Sequence, residues 1–132
     1  LKYADVITPN QQETQMITGI HVDNQESALL AAKKIEELGV KNCIIKMGSK
    51  GNLVYQSGQT TYIPSIKVKA LNTVGAGDTF AGALASQYVK TNDLVEAVKY
   101  ANIAAGIKVS RNGGQEVIPT YQEVIDYMNE KY

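Results

Sequence analysis

Apolar positions along the chain change their period several times, and each change marks an element. Val6-Ile7 stand between Asp5 and Thr8 with Pro9 behind, so a short strand ending at a loop is expected over residues 5–8. Residues 11–18 suit a short helix stopped at Gly19. Asp23-Asn24-Gln25-Glu26 reads as a capping box. Behind it Ala28, Ala31, Ala32, Ile35 and Leu38 recur at helical spacing, and Gly39 closes the helix. Residues 42–47 read as a buried strand, and Gly48-Ser49-Lys50-Gly51 as a turn. Residues 53–55 and 60–63, around Ser57-Gly58-Gln59, predict a hairpin.

The pattern then turns helical. A helix is expected over residues 79–89 with Phe80, Ala83, Leu84 and Tyr88 on one face. Thr91 or Asn92 caps a second helix, whose face carries Leu94, Ala97, Val98, Ala101, Ala104 and Ala105, small enough for close packing. Asn112-Gly113-Gly114 breaks the chain, and Thr120-Tyr121-Gln122-Glu123 is another capping box, opening a helix with Val124, Ile125 and Met128. Strands alternating with helices predict an α/β layered domain.

Composition narrows the function classes. The chain has 132 residues, 44% hydrophobic and 20% charged, the balance of one globular domain with a sizeable core. Thirteen basic residues cancel thirteen acidic ones, so no basic face is indicated for nucleic acid or an anionic membrane. No apolar run approaches the roughly 20 residues of a membrane span. The start, Leu1-Lys2-Tyr3-Ala4-Asp5, has no signal pattern and no initiator Met, so a start inside a longer protein is expected. The single Cys43 lies in an apolar run and reads as a small buried hydrophobe. A cytoplasmic protein is expected. His21 and Lys33-Lys34 read as surface.

Two stretches could carry chemistry. In Asn72-Thr73-Val74-Gly75-Ala76-Gly77-Asp78-Thr79-Phe80, glycines precede a helix. A helix start leaves about four N–H groups unpaired and carries partial positive charge, and glycines let backbone wrap an anion. Gly75, Ala76 and Gly77 could therefore hold phosphoryl oxygens, with Asp78 beside them to take a proton. A plain helix cap explains the same residues. The stretch lacks the Lys-Ser/Thr of a Walker A loop and the third glycine of a dinucleotide fingerprint. Asn10-Gln11-Gln12-Glu13 is either another cap or an amide and a carboxylate that orient the water shell of Mg2+.

Four ordered segments together resemble the ribokinase family, also called the phosphofructokinase B carbohydrate kinase family. Residues 5–13 are similar to its N-x-x-E segment. Lys46-Met47-Gly48-Ser49-Lys50-Gly51 is similar to its strand-turn L-G-S-K-G segment. Residues 72–80 are similar to its D-T-x-G-A-G-D-x-F signature. Asn102 with its Ala-rich helix, then Ser110-Arg111-Asn112-Gly113-Gly114-Gln115, resemble its last nucleotide-contacting segments. A lone G-A-G-D is a weak signal; four segments in order over one chain are a specific one.

The resemblance implies a ribokinase-like three-layer α/β/α sandwich, Rossmann-like, with this chain as its C-terminal, nucleotide-binding part. Members run to twice this length or more, and the N-terminal half supplies sugar contacts and a lid through which dimers pair. The implied activity is phosphoryl transfer from ATP to a sugar hydroxyl, giving ribose 5-phosphate in the members nearest in motif. Another sugar kinase, such as one acting on fructose, or a non-catalytic nucleotide-binding fragment, is the alternative. The implied cofactors are ATP, Mg2+ and K+, and the implied partners are the sugar and, for the whole protein, a second copy of itself.

By position, the resemblance implies Asp78 as the general base and Gly75, Ala76 and Gly77 as the anion hole. It implies Lys46, Gly48, Ser49, Gly51 and Asn102 toward ATP, Asn10 and Glu13 toward magnesium and phosphates, and Thr73 with Asp78 toward the sugar. Lys46 could equally be a solvated strand-end charge, Asn102 a helix-surface amide, and Thr73 a turn hydroxyl. The monovalent-cation site falls around Asn72, Val74, Lys108, Arg111 and Gly113. Asn72 stands where the family has Asp, so a carbonyl ligand stays and the charge is lost. Val117 stands where some members have a hydroxyl.

Overall fold

The computed structural model describes residues 6–65, 76–109 and 120–131, with the backbone alone at 76–78, 108–109 and 131. The chain forms two compact units, divided after Ser65.

The first unit is a four-stranded sheet with two helices. Strands β1 (Val6–Ile7), β2 (Asn42–Lys46), β3 (Asn52–Gln56) and β4 (Gln59–Ile63) lie side by side in chain order. The β1–β2 pair is parallel, with Ile7 opposite Cys43. The β2–β3 and β3–β4 pairs are antiparallel, with Ile44 opposite Val54 and Val54 opposite Thr61. Parallel neighbours need a long crossover, and helices α1 (Gln11–Thr18) and α2 (Gln25–Glu37) provide it. The hairpin turn has only two residues, Ser57 and Gly58, with φ of 48° and 94°. Two successive left-handed residues give the turn twist that matches the strands, and glycine adopts it without steric cost.

The core of this unit follows from the alternation of side chains across the sheet. Cys43, Ile45, Leu53 and Tyr55 pack against Ala28, Ala31, Ala32 and Ile35 of α2. The alanines let the helix approach closely, and each buried Ile contributes roughly 1.5–3 kcal/mol. Tyr55 is buried, and its hydroxyl donates to Glu36 Oε1 at 2.6 Å, joining β3 to α2. That bond to the carboxylate, and then burial, raise the Tyr55 pKa above its ordinary value. On the opposite face Ile44 and Val54 are also fully buried.

Cys43 is buried, as its apolar neighbours in sequence predict. Burial first, then the Glu36 carboxylate, push its thiol up to about 12 from 9.0. Between those values the unfolded chain gives up a proton that the folded chain keeps. Stability therefore falls as pH rises through this window. Cys43→Ala should flatten that alkaline loss in urea unfolding followed across the window. An unchanged slope would mean that the thiol does not titrate this way.

The second unit is helical among the described residues: α3 (Ala76–Thr91), α4 (Leu94–Val109) and α5 (Tyr121–Lys131). Phe80 and Leu84 of α3 are buried, as are Ala97, Val98, Ala101 and Ala104 of α4. Ile103, Ala104 and Ile107 meet Val124 of α5, with Tyr100 and Met128 at the margin. Lys90 Nζ lies 4.4 Å from the Tyr121 ring centre, and the Tyr121 and Tyr100 rings are 5.7 Å apart, so one stack ties all three helices.

Several boundaries differ from expectation. The strand expected over 5–8 is described only as Val6–Ile7. The box before α2 is Asn24 with Ser27, not Asp23 with Glu26, because Asn24 is the cap and its third successor is Ser27. Leu38 is exposed, since α2 ends one residue before it. Asn92 takes φ 53° and closes the turn, so the cap of α4 is Asp93, whose Oδ1 accepts from Glu96 N at 3.1 Å. The helix expected from Thr79 begins earlier, at Ala76, inside the glycine motif. The Thr120–Glu123 box forms as expected, with bonds of 3.0 and 3.2 Å. His21, Lys33 and Lys34 are exposed. The 112–114 break and Val117 lie outside the described residues.

Candidate phosphoryl-transfer site

The candidate residues fall into two groups, one on each unit. On the first unit they gather at the carboxyl ends of β1 and β2. Lys46 N donates to Pro9 O at 2.9 Å, and Asn10 bridges to Lys46 in parallel register. The start of α1 and the turn after β2 therefore arise side by side. In open α/β sheets, ligands bind just beyond the carboxyl ends of the strands.

Asn10 and Glu13 form a complete capping box. Glu13 N donates to Asn10 Oδ1 at 2.8 Å, and Asn10 N donates to Glu13 Oε1 at 2.9 Å. Both residues are exposed, so two hard oxygen donors sit at a helix start where the dipole is positive. Gln11 Nε2 adds a bond to Val22 O at 2.9 Å, tying this turn to the approach of α2. Asn10→Ala should cost about 0.5–2 kcal/mol of stability through the lost cap, read by urea unfolding. No measurable loss would show that the cap is not stabilising.

The turn after β2 is a single 3-10 turn, Gly48–Lys50, closed by Gly51. Its carbonyls are all accepting. Met47 O takes Lys50 N at 3.1 Å, Gly48 O takes Gly51 N at 3.0 Å, and Gly51 O takes Met47 N at 2.9 Å. Ser49 O accepts from Ser65 Oγ at 2.9 Å, and Lys50 O accepts from the Tyr62 hydroxyl. The amides of Gly48 and Ser49 have no partner among the described residues. The turn thus offers donors and no free acceptor, the polarity that an anion requires. Lys50 Nζ donates to Asp23 O at 2.7 Å, which fastens the turn to the segment before α2.

On the second unit, Ala76, Gly77 and Asp78 are the first three residues of α3. Amides of a first helical turn have no intrahelical partner, which makes these three candidates for holding an anion. Asn102 is half-buried within α4, and Lys108 is in its last turn. Asn72, Thr73, Val74, Gly75, Arg111 and Gly113 lie outside the described residues. Among the described residues no cluster of three or more His, Cys, Asp or Glu could hold a metal ion, and no helix is long and apolar enough to cross a membrane.

Sequence reasoning missed Lys50, Tyr62 and Ser65, the side chains that fasten the turn. A signal existed for Tyr62. It stands at an outward position of β4 next to inward Ile63, a large ring left exposed without a core role.

The family model of pfkB carbohydrate kinases matches residues 1–121. The chain belongs to the pfkB carbohydrate kinase family. Among relatives, the ribokinase of Haemophilus influenzae is 34% identical over 97% of this chain and is covered over 42% of its own length. A deoxyribokinase of Salmonella typhi is 34% identical over 95% of this chain and is covered over 41%. The solved structure of Arabidopsis thaliana ribokinase complexed with ribose and ATP superposes with a TM-score of 0.86 at 30% identity. It is matched over 97% of this chain and 41% of that one. The chain therefore spans about two fifths of the length of these pfkB relatives. The expected ribokinase-like α/β fold holds, with a mixed sheet.

Proposed function

We propose that this chain is the C-terminal, nucleotide-binding and catalytic-base part of an ATP-dependent sugar kinase of the ribokinase type. One observation carries the reading: in a chain matched by the pfkB family over residues 1–121, Ala76, Gly77 and Asp78 of the Gly-Ala-Gly-Asp motif open a 16-residue helix. A helix start there supplies the anion hole and puts Asp78 in its first turn.

The sugar hydroxyl attacks the γ-phosphorus of ATP in line. The new O–P bond forms as the bond to the β,γ-bridging oxygen breaks, and ADP leaves. The hydroxyl proton passes to the Asp78 carboxylate. Amides of Gly75, Ala76 and Gly77 receive the charge that develops on the transferring oxygens. In the first unit the donor-only turn, through Gly48 and Ser49, is the proposed phosphate contact, with Lys46 beside it; in the second unit Asn102 is the proposed contact to the base. Asn10 and Glu13 offer hard oxygens at an exposed helix start, the donor chemistry that suits a hydrated Mg2+. Bound with ATP, that ion neutralises triphosphate charge. Of the residues implied around potassium, Lys108 alone lies within the described residues.

Ribose is the first acceptor to test, because ribokinases stand among the relatives. Deoxyribose is the second, because a deoxyribokinase matches at the same identity. The test is ADP release by the whole protein over a panel of pentoses and hexoses. Acceptor-dependent release with ribose in front supports the reading. Release that no sugar stimulates would overturn it.

A further inference from the structure

We propose that Tyr62, seconded by Ser65, is a positioning residue for nucleotide binding, acting through the Gly48–Gly51 turn. The inference rests on the kinase reading above for the identity of the anion. Tyr62 reaches from β4 across the turn, donates its hydroxyl proton to Lys50 O, and lays its ring against Gly51. A Cβ at position 51 would stand 2.9 Å from the Tyr62 hydroxyl oxygen. Ser65 does the same for the preceding carbonyl, Ser49 O. The other three carbonyls of residues 47–51 are taken by backbone amides of the turn itself.

The physical consequence concerns polarity. A peptide that turns its carbonyl toward a phosphate repels it, and one that turns its N–H attracts it. Residues 49 and 50 have no backbone donor for their carbonyls, so side chains from β4 and just beyond hold them instead. That holding fixes the 49–50 and 50–51 peptide planes, whose Lys50 and Gly51 amides occupy Met47 O and Gly48 O, and so fixes in turn the two planes that carry the unpaired amides of Gly48 and Ser49. Tyr62 is not placed against a reacting atom; its hydroxyl is held by Lys50 O. It keeps the turn donor-only before ATP arrives, so that binding need not reorient it. Lys50 is spent on Asp23 O and serves as a third anchor rather than a phosphate ligand.

The test compares Tyr62→Phe and Ser65→Ala with wild type in the whole protein, by steady-state kinetics well below the melting transition of each. Tyr62→Phe keeps the ring and removes only the hydroxyl. The expected result is an ATP KM raised about two- to tenfold, with kcat and the sugar KM unchanged. Ser65→Ala should move the same constant in the same direction by less. A role in folding alone predicts a lower Tm with the ATP KM unmoved, and an unmoved ATP KM overturns the inference whatever the Tm. A wild type with no ATP-dependent turnover overturns the kinase reading and this inference with it. Wild-type turnover with an unchanged ATP KM in both variants overturns this inference alone.

Discussion

Asp78→Asn should lower kcat by about 100- to 10,000-fold while leaving ATP affinity nearly unchanged. The substitution keeps the size of the side chain and its place in the first turn of α3. It removes the one group proposed to take the sugar proton. The loss corresponds to roughly 3–5 kcal/mol in the barrier. The competing explanation is that Asp78 only complements the helix dipole, which is worth about 0.3–1 kcal/mol. That effect is read in stability, not turnover, so the two roles separate cleanly. Thermal unfolding of the variant should stay near wild type while single-turnover phosphoryl transfer collapses. Turnover within a few-fold of wild type would remove Asp78 from the chemistry.

Gly51→Ala should be the most damaging small change in the first unit. Gly51 has φ 88° and ψ −163°, a region open essentially to glycine alone, and forcing another residue there costs about 1–3 kcal/mol. The contact adds to this, because the new Cβ would stand 2.6 Å from Ile63 O, a strand carbonyl that cannot swing aside. Either the hairpin yields or the turn does. Both outcomes disturb the donor-only turn, so a lower urea midpoint should accompany weaker ATP binding. A variant with wild-type midpoint and affinity would show that the turn adopts another conformation in solution. Gly48→Ala is the control: it also has positive φ, 58°, yet nothing lies within 4 Å of its added Cβ. It should lose less.

Much of the frame was legible because its signals are local. The Cys43-Ile44-Ile45 run bounded a buried strand, and Ser57-Gly58 made a two-residue hairpin turn. Ala28, Ala31, Ala32 and Ile35 declared the buried face of α2 by their spacing. Boundaries shifted where two capping residues stood together. Asn24 won over Asp23, and Asp93 over Asn92, because the backbone conformation chose between them. The start of α3 lies three residues before the expected Thr79, because first-turn residues need no intrahelical N–H bond and Gly77 fits there.

The site was legible as motifs and not as geometry. That Asn10 and Lys46 are neighbours depends on parallel pairing of strands separated by two helices, a non-local fact. The bonds from Tyr62 and Ser65 to the turn are of the same kind, joining β4 and its exit to residues 12 and 16 positions earlier. Asn10 and Glu13 show the reverse case. Their spacing fitted two readings: the capping box forms in full, and the metal reading belongs to the proposed function.

Phosphoryl transfer to a sugar is read directly by 31P NMR of the whole protein with ATP, Mg2+ and ribose. The γ-phosphate signal should be replaced by a sugar phosphomonoester signal in step with the growth of ADP, and Asp78→Asn should abolish the exchange. ATP left intact, or broken down to ADP and inorganic phosphate with no sugar phosphate from ribose or any other sugar, would contradict the kinase reading.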